Sequence, residues 1–176
     1  ALGVVTVIAG RAGELRDGGF EDGPALEARF RSPIGMMKRG DGALVIMDPG
    51  NDRIRKLQNG VVTTLAGDEY DWENEDEETL RDGPGAAARF AGPCGMARDA
   101  QERLLVVDNY HRIRRVTSEG ETTTIGADGP RNEGMPSGIV VAKDGAIMVS
   151  EVIEAHRISV VSADGTLTTL AGGAEH

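Results

Sequence analysis

The densest cluster of chemically capable side chains in this 176-residue chain is DEYDWENEDEE at 68–78, with eight carboxylates, no basic residue and two aromatics, Tyr70 and Trp72. Asp68, Glu69, Asp71, Glu73, Asp76 and Glu77 around those rings suggest a segment that docks on a basic protein, the carboxylates steering the approach and the aromatics supplying burial. The competing reading is a solvated insertion, because blocks of like charge repel one another and resist ordering. Calcium is not expected there, since the stretch lacks the D-x-D-x-D-G ligand spacing of a helix–loop–helix site.

Two Asp/Arg pairs come next, Asp48/Arg53 and Asp108/Arg112. An Asp at such a turn can accept from backbone N–H groups and an Arg can brace it, so their recurrence reads as structural. Arg53/Arg55 and Arg112/Arg114 each fall on one face of a strand, but no aromatic residues interleave with them as single-stranded nucleic acid binding requires. His111 and His156 fall at matching turns and His176 ends the sequence; with no Cys cluster nearby they fall short of the three or four converging ligands that zinc needs, so no metal and no cofactor is expected. Cys94, the only cysteine, reads as a core residue rather than a nucleophile. Arg39-Gly40-Asp41 spells an integrin-recognition tripeptide, but it sits in a tight turn and is treated as chance.

The elements that must position these residues are short strands. Gly is abundant, aromatics make up 3% of the chain, and DG, NG, EG and GP dipeptides punctuate it throughout, a pattern of strands and tight turns. Net charge is −10; removing the eight acids of 68–78 leaves −2, so a balanced body carries one acidic loop. That field repels phosphate, which argues against nucleic acid as a ligand. No apolar run reaches membrane-spanning length. A single Cys excludes an internal disulfide framework and permits a reducing, intracellular compartment.

One phrase is repeated: VVTVIAG at 4–10, VVTTLAG at 61–67 and TLTTLAG at 166–172, with a weaker ETTTIGA at 121–127. Aligned on a proline, 32–67, 92–127 and 135–172 each divide into four apolar stretches separated by turns. The second stretch (ALVIMD, LLVVD, AIMVSE) is apolar on both faces, as a strand between two covering layers must be. Units of this size that repeat and bury both faces are the blades of a propeller. The expectation is therefore an all-β arc of four-stranded antiparallel blades, about 13 strands, with 4–10 an orphan outer strand, 11–31 a connector, and 68–91 the acidic loop followed by a second connector. In D-G-P-A-L-E-A-R-F (22–30) and D-G-P-G-A-A-A-R-F (82–90), Asp can cap a helical turn that opens with Pro, placing Phe30 and Phe90 between blades and leaving Arg29 and Arg89 to anchor the loops.

The motifs D48-PGND-RIRKL, D108-NYH-RIRRV, V-T-T-L-A-G and D-G-P-x-x-x-A-R-F resemble NHL repeats, which build β-propellers. The resemblance covers nearly the whole chain; the third copy departs from it, with Glu151 in place of Asp and its connector cut to DGPRNEG. Related propellers commonly have six blades, so the resemblance implies an arc of a larger ring whose raw ends are met by other blades of the parent chain or by neighbouring subunits. It also implies a non-enzymatic protein-interaction scaffold, binding through the side that carries the long connectors and the acidic loop. The alternatives are a structural subunit buried in a large assembly, and a metal-dependent propeller hydrolase or lyase. The enzyme is the less expected of these because the inner strands IGMMK, CGMAR and SGIVVA carry no metal ligands. The side with the tight turns RGDG, DAQE, KDG, QNG, SEG and ADG is expected to be closed.

Overall fold

The computed structural model describes residues 3–11, 18–68, 80–108, 112–125, 135–152, 156–162 and 165–173. The fold is all-β, an arc of three antiparallel propeller blades. In blade 1 the strands run β2 (Ile34–Lys38), β3 (Leu44–Asp48), β4 (Arg53–Gln58) and β5 (Val61–Ala66). Blade 2 is built from β7 (Gly95–Arg98), β8 (Leu104–Asp108), β9 (Arg112–Val116) and β10 (Glu121–Ile125). Blade 3 holds β11 (Met135–Val141), β12 (Ile147–Val152), β13 (Arg157–Val161) and β14 (Leu167–Gly172).

Two further strands, β1 (Gly23–Pro24) and β6 (Gly83–Pro84), come from the DGP connectors and pair with the outer edges of β5 and β10. They occupy hydrogen-bonding groups that an edge strand would otherwise leave open. The described residues thus hold fourteen strands rather than thirteen. The difference has two parts: the connectors contribute two short strands, and residues 4–10 form none. The phrase VVTVIAG has no third strand beside it to pair with, and Val5 is 97% exposed.

Alternation along the strands explains the core. In β3 and β4, Val45, Met47 and Ile54 point one way and meet Phe90, Leu104, Val106 and Val116 of the second blade. Leu105, Val107 and Ile113 leave the other face of that blade and meet Ile139, Val149 and Val161 of the third. The middle blade is therefore covered on both sides, which is why β8 (LLVVD) is buried at every position. The repeated phrase ends in Gly for a local reason. Gly67 has φ +101°, and a Cβ there would strike the Asp52 carbonyl and the Phe90 ring; Gly172 has φ +81° and would place a Cβ 2.6 Å from the His156 carbonyl oxygen.

Each of the first two blades is tied to its connector by one buried arginine. Arg55 and Arg114 are both fully buried. Arg55 donates to Asp48 Oδ2 (2.9 Å), to Asp22 Oδ1 (2.6 Å) and to the carbonyls of Glu21 and Arg29 (2.9 Å each). Arg114 repeats the set on Asp108 Oδ2 (3.1 Å), Asp82 Oδ1 (2.8 Å) and the carbonyls of Arg81 (2.8 Å) and Arg89 (2.9 Å). In blade 1 this corrects the expected pairing of Asp48 with Arg53. Asp48 and Asp108 serve Arg55 and Arg114, whereas Arg53 reaches the Asn51 carbonyl and Asp68. Asp48 makes no backbone cap on its turn, where its Oδ2 accepts from the Asn51 side chain, and the other oxygens of Asp48 and Asp108 accept from Arg31 N–H and Ala91 N–H, at the end of each connector.

The connectors are correspondingly less helical than expected. Gly85–Ala87 is a single 3₁₀ turn with no side-chain cap, and Ala25–Glu27 is a hydrogen-bonded turn. Asp22 and Asp82 instead accept from Thr64 N–H and Thr124 N–H on the outer strands. Arg29 and Arg89 contribute their carbonyls to the clamp. Truncating one partner of a buried pair leaves the other charged and unpaired, so Arg114→Ala is expected to cost about 3–5 kcal/mol, read as a lower midpoint in urea unfolding. A midpoint equal to wild type would show that the clamp does not hold the connector.

Candidate functional site

Most of the expected docking segment, Glu69, Tyr70, Asp71, Trp72, Glu73, Asp76 and Glu77, lies outside the described residues, as do His111 and His176. Asp68 is described, and it is held rather than free: Arg53 donates to its Oδ1 at 2.8 Å, and the Arg53 guanidinium stacks 3.9 Å from the centre of the Phe20 ring. Phe20 also lies 4.9 Å from Arg55, so this corner of the connector side is an ordered cation–aromatic cluster. Phe90 is buried between blades 1 and 2, and Arg114 stands over its ring at 5.1 Å. Phe30 takes the same place on blade 1, half-buried, with Arg55 at 5.0 Å.

Asp82 joins connector, clamp and outer strand. Burial pulls its carboxyl upward, but the Thr124 N–H and hydroxyl and the Arg114 guanidinium outweigh that and hold it below the usual carboxylate value. Asp99 is lowered in the same manner, burial being outweighed by the side chain and N–H of Arg103 and by the N–H of Gln101.

The side expected to be closed and tidy carries a cavity that the sequence reading missed. It lies between blades 2 and 3, with a volume of about 270 Å³, and its polar walls are Asp99, Arg103, Arg115, Lys143 and Asp144 over a floor that includes Leu105. Asp99 is already engaged by Arg103 (2.7 Å), and Asp144 closes its own turn on Ala146 N–H (3.1 Å). Arg115 and Lys143 are thus the cations whose charge is least spoken for, which suits a small anion or a polarised carbonyl. The turns DAQE and KDG were read as tight closures; the signal available in the sequence was the basic residue on the strand beside them, Arg115 on β9.

The inner strands carry Met36, Met37 and Lys38, then Met96 and Arg98, then Ser137 and Ile139, of which Met37, Met96 and Ile139 pack into the cores between blades. Among the described residues no three His, Cys, Asp or Glu side chains converge to hold a metal ion. Cys94, beside β7, is half-buried and its thiol points at the carbonyls of Val107 and Pro136. Burial, with the Asp108 charge adding to it, pushes the thiol up to about 11. It is no nucleophile at neutral pH. Native-state alkylation at pH 8 is expected to run about 100-fold slower than for a free cysteine and to rise tenfold per pH unit toward pH 11. A thiol titrating near its ordinary value would contradict this packing.

No protein-family profile matches the chain. A curated relative, Protein Suppressor of Quenching 1, chloroplastic, of Arabidopsis thaliana, is 29% identical over 111 residues, spanning 61% of this chain and 10% of that protein. Among solved structures, a gluconolactonase from Xanthomonas campestris aligns at TM-score 0.58 and 21% identity over 81% of this chain and 48% of its own. A catalytically inactive virginiamycin B lyase from Staphylococcus aureus, solved with quinupristin, aligns at 0.56 and 16% over 89% of this chain and 43% of its own. An auxiliary nutrient binding protein from Bacteroides thetaiotaomicron aligns at 0.55 and 16%, over 71% and 36%.

The fold is therefore that of a β-propeller, and the chain spans less than half of each of these propellers. The likeness corrects the expectation of a non-enzymatic scaffold. Two of the three are enzymes, and the absence of ligands from three inner strands, on which that expectation rested, does not speak for the inner strands of a whole ring. No helix among the described residues is long and apolar enough to cross a membrane.

Proposed function

We propose that the chain is one half of a propeller enzyme of the hydrolase or lyase kind, built from NHL-type repeats. The observation that carries the enzyme reading is the alignment of the three-blade arc over 81% and 89% of its length with two enzyme propellers, a gluconolactonase and a virginiamycin B lyase, of which it spans 48% and 43%. The NHL assignment is supported by the roles of its motifs. Asp of D-x-x-x-x-R-I-R and its second Arg form the clamp on β3–β4, and the DGP segment supplies the second carboxylate.

The described residues do not fit a catalytic metal, and no step through one is assigned to them. What this arc's own residues do is positional. The inner strands β2, β7 and β11 form one wall of the channel, and Lys38 and Arg98 place positive charge at the ends of the first two. Arg98 is fixed by Glu102 at 2.8 Å.

The test is an assay of the closed ring against gluconolactone by pH-stat and against quinupristin by chromatography, with the 176-residue arc alone in parallel. Turnover by the ring, missing from the isolated arc, is the expected result. A ring that cleaves neither probe would sink the enzyme reading.

A further inference from the structure

Blade 1 has an uncovered apolar face, and the repeat itself says what belongs there. Phe90, Leu104, Val106 and Val116 of blade 2 are each 0% exposed. They are covered by two sets of residues from blade 1: Leu65 and Ala66 of the outer strand, and Val45, Met47 and Ile54 of the middle strands β3 and β4. The same positions in blade 1 are Phe30, Leu44, Ile46 and Leu57, and all four are only half-buried. They line a groove of about 190 Å³ with Met36, which is 70% exposed.

Half of the cover is already in place. Ile8 and Ala9 line this groove, and in the repeated phrase they are the counterparts of Leu65 and Ala66. The backbone seat matches as well: Gly10 N–H donates to the Ala25 carbonyl at 2.8 Å, and Gly67 N–H donates to the Gly85 carbonyl, the equivalent atom, at 3.1 Å. Residues 4–10 therefore hold the position of a fourth strand against blade 1, although they are not hydrogen-bonded as a strand. What is missing is the equivalent of Val45, Met47 and Ile54, which is to say three strands and their inward side chains.

We infer that the blade 1 groove, with residues 4–9, is a docking site for a three-stranded antiparallel β-meander carried by the same polypeptide. Its third strand pairs with residues 4–9, and its aliphatic side chains fill the groove beside Phe30 and Ile46. A second copy of this chain does not fit the same seat. Its blade 3 already carries a fourth strand, β14, and would compete with residues 4–10 for one place. The inference concerns assembly and stands whether or not the ring is an enzyme.

The test uses this chain's own repeat as the probe. Residues 32–60 are fused ahead of residue 4, so that the Asn-Gly turn of blade 1 leads into VVTVIAG as it leads into VVTTLAG. The backbone amides of Val5, Thr6, Val7 and Ile8 should gain about 100-fold protection from hydrogen exchange, and the melting temperature should rise by about 5 °C. Met36→Glu and Ile8→Glu, harmless in the unfused chain where both side chains are exposed, should abolish the gain in the fused one. Unprotected amides in a folded fusion overturn the proposal, as do glutamate variants that behave alike in both chains. Should the fusion not fold, the 32–60 peptide added in trans to the unmodified chain gives the same readout. A light-scattering dimer of the unmodified chain that protects residues 5–8 would make a second copy the occupant and overturn the assignment to one polypeptide.

Discussion

A fully buried guanidinium is the constraint on which the first two blades depend. Arg cannot shed its charge by deprotonating, so burying Arg55 or Arg114 is tolerable only where carboxylates and carbonyls surround the fork: both terminal nitrogens of each are paired, and Arg55 also pairs its Nε with Asp22 while Arg114 Nε is left without a partner. The sequence provides for this with an unusual division of labour. One carboxylate comes from the blade, at the end of its second strand; the other comes from the connector, and two carbonyls flank it. The connector is thus stitched across the blade face rather than looped over it. Phe30 and Phe90, at the ends of those connectors, are set against the same faces by the same stitch.

The third copy shows what happens when the stitch is absent. At the place of Arg55 and Arg114 stands Ser159, buried, and Glu151 takes the place of the Asp. The longer carboxylate reaches Arg157 instead (2.6 Å) and accepts the Ser159 hydroxyl. In sequence, this copy is also the one whose connector is cut short. DGPRNEG keeps the Asp of the connector but not the A-R-F end from which Arg29 and Arg89 lend a carbonyl to the first two clamps, and a buried unpaired charge costs far more than a hydroxyl. Arginine and connector are therefore kept or lost together.

The blades were legible in the sequence because the repeat forces itself on any alignment and because period-two alternation fixes which residues of β3 and β8 face inward. The clamp was legible only in part. Arg53 and Arg55 are two residues apart, on one face of one strand, and nothing local says that the second meets Asp48 while the first turns outward to Asp68. That choice is made by the connector, which approaches from 26 and more residues away in sequence. Asp82 was misread for a related reason. An Asp before Pro at the start of an Ala-rich run is a good cap by local rules, but a buried guanidinium is a stronger claimant than a 3₁₀ turn. Residues 4–10 have the composition of a strand and no neighbour to make one. The polar cavity between blades 2 and 3 left only Arg115 as a signal, because Asp99, Arg115 and Lys143 come from two different repeats and only packing brings them together.

Stability in such an arc flows from face-to-face contact between neighbours, so position in the stack should matter more than local sequence. Blade 2 is covered on both faces, while blades 1 and 3 each have one face uncovered by a further blade. Native-state hydrogen exchange, resolved strand by strand, tests this most directly. Stacking predicts that the amides of β8 and β9 exchange last, with those of β3, β4, β12 and β13 faster by about tenfold or more. Equal protection in all three blades, or a terminal blade outlasting the middle one, would show that each blade is stable by itself and that the arc is not held together by its interfaces.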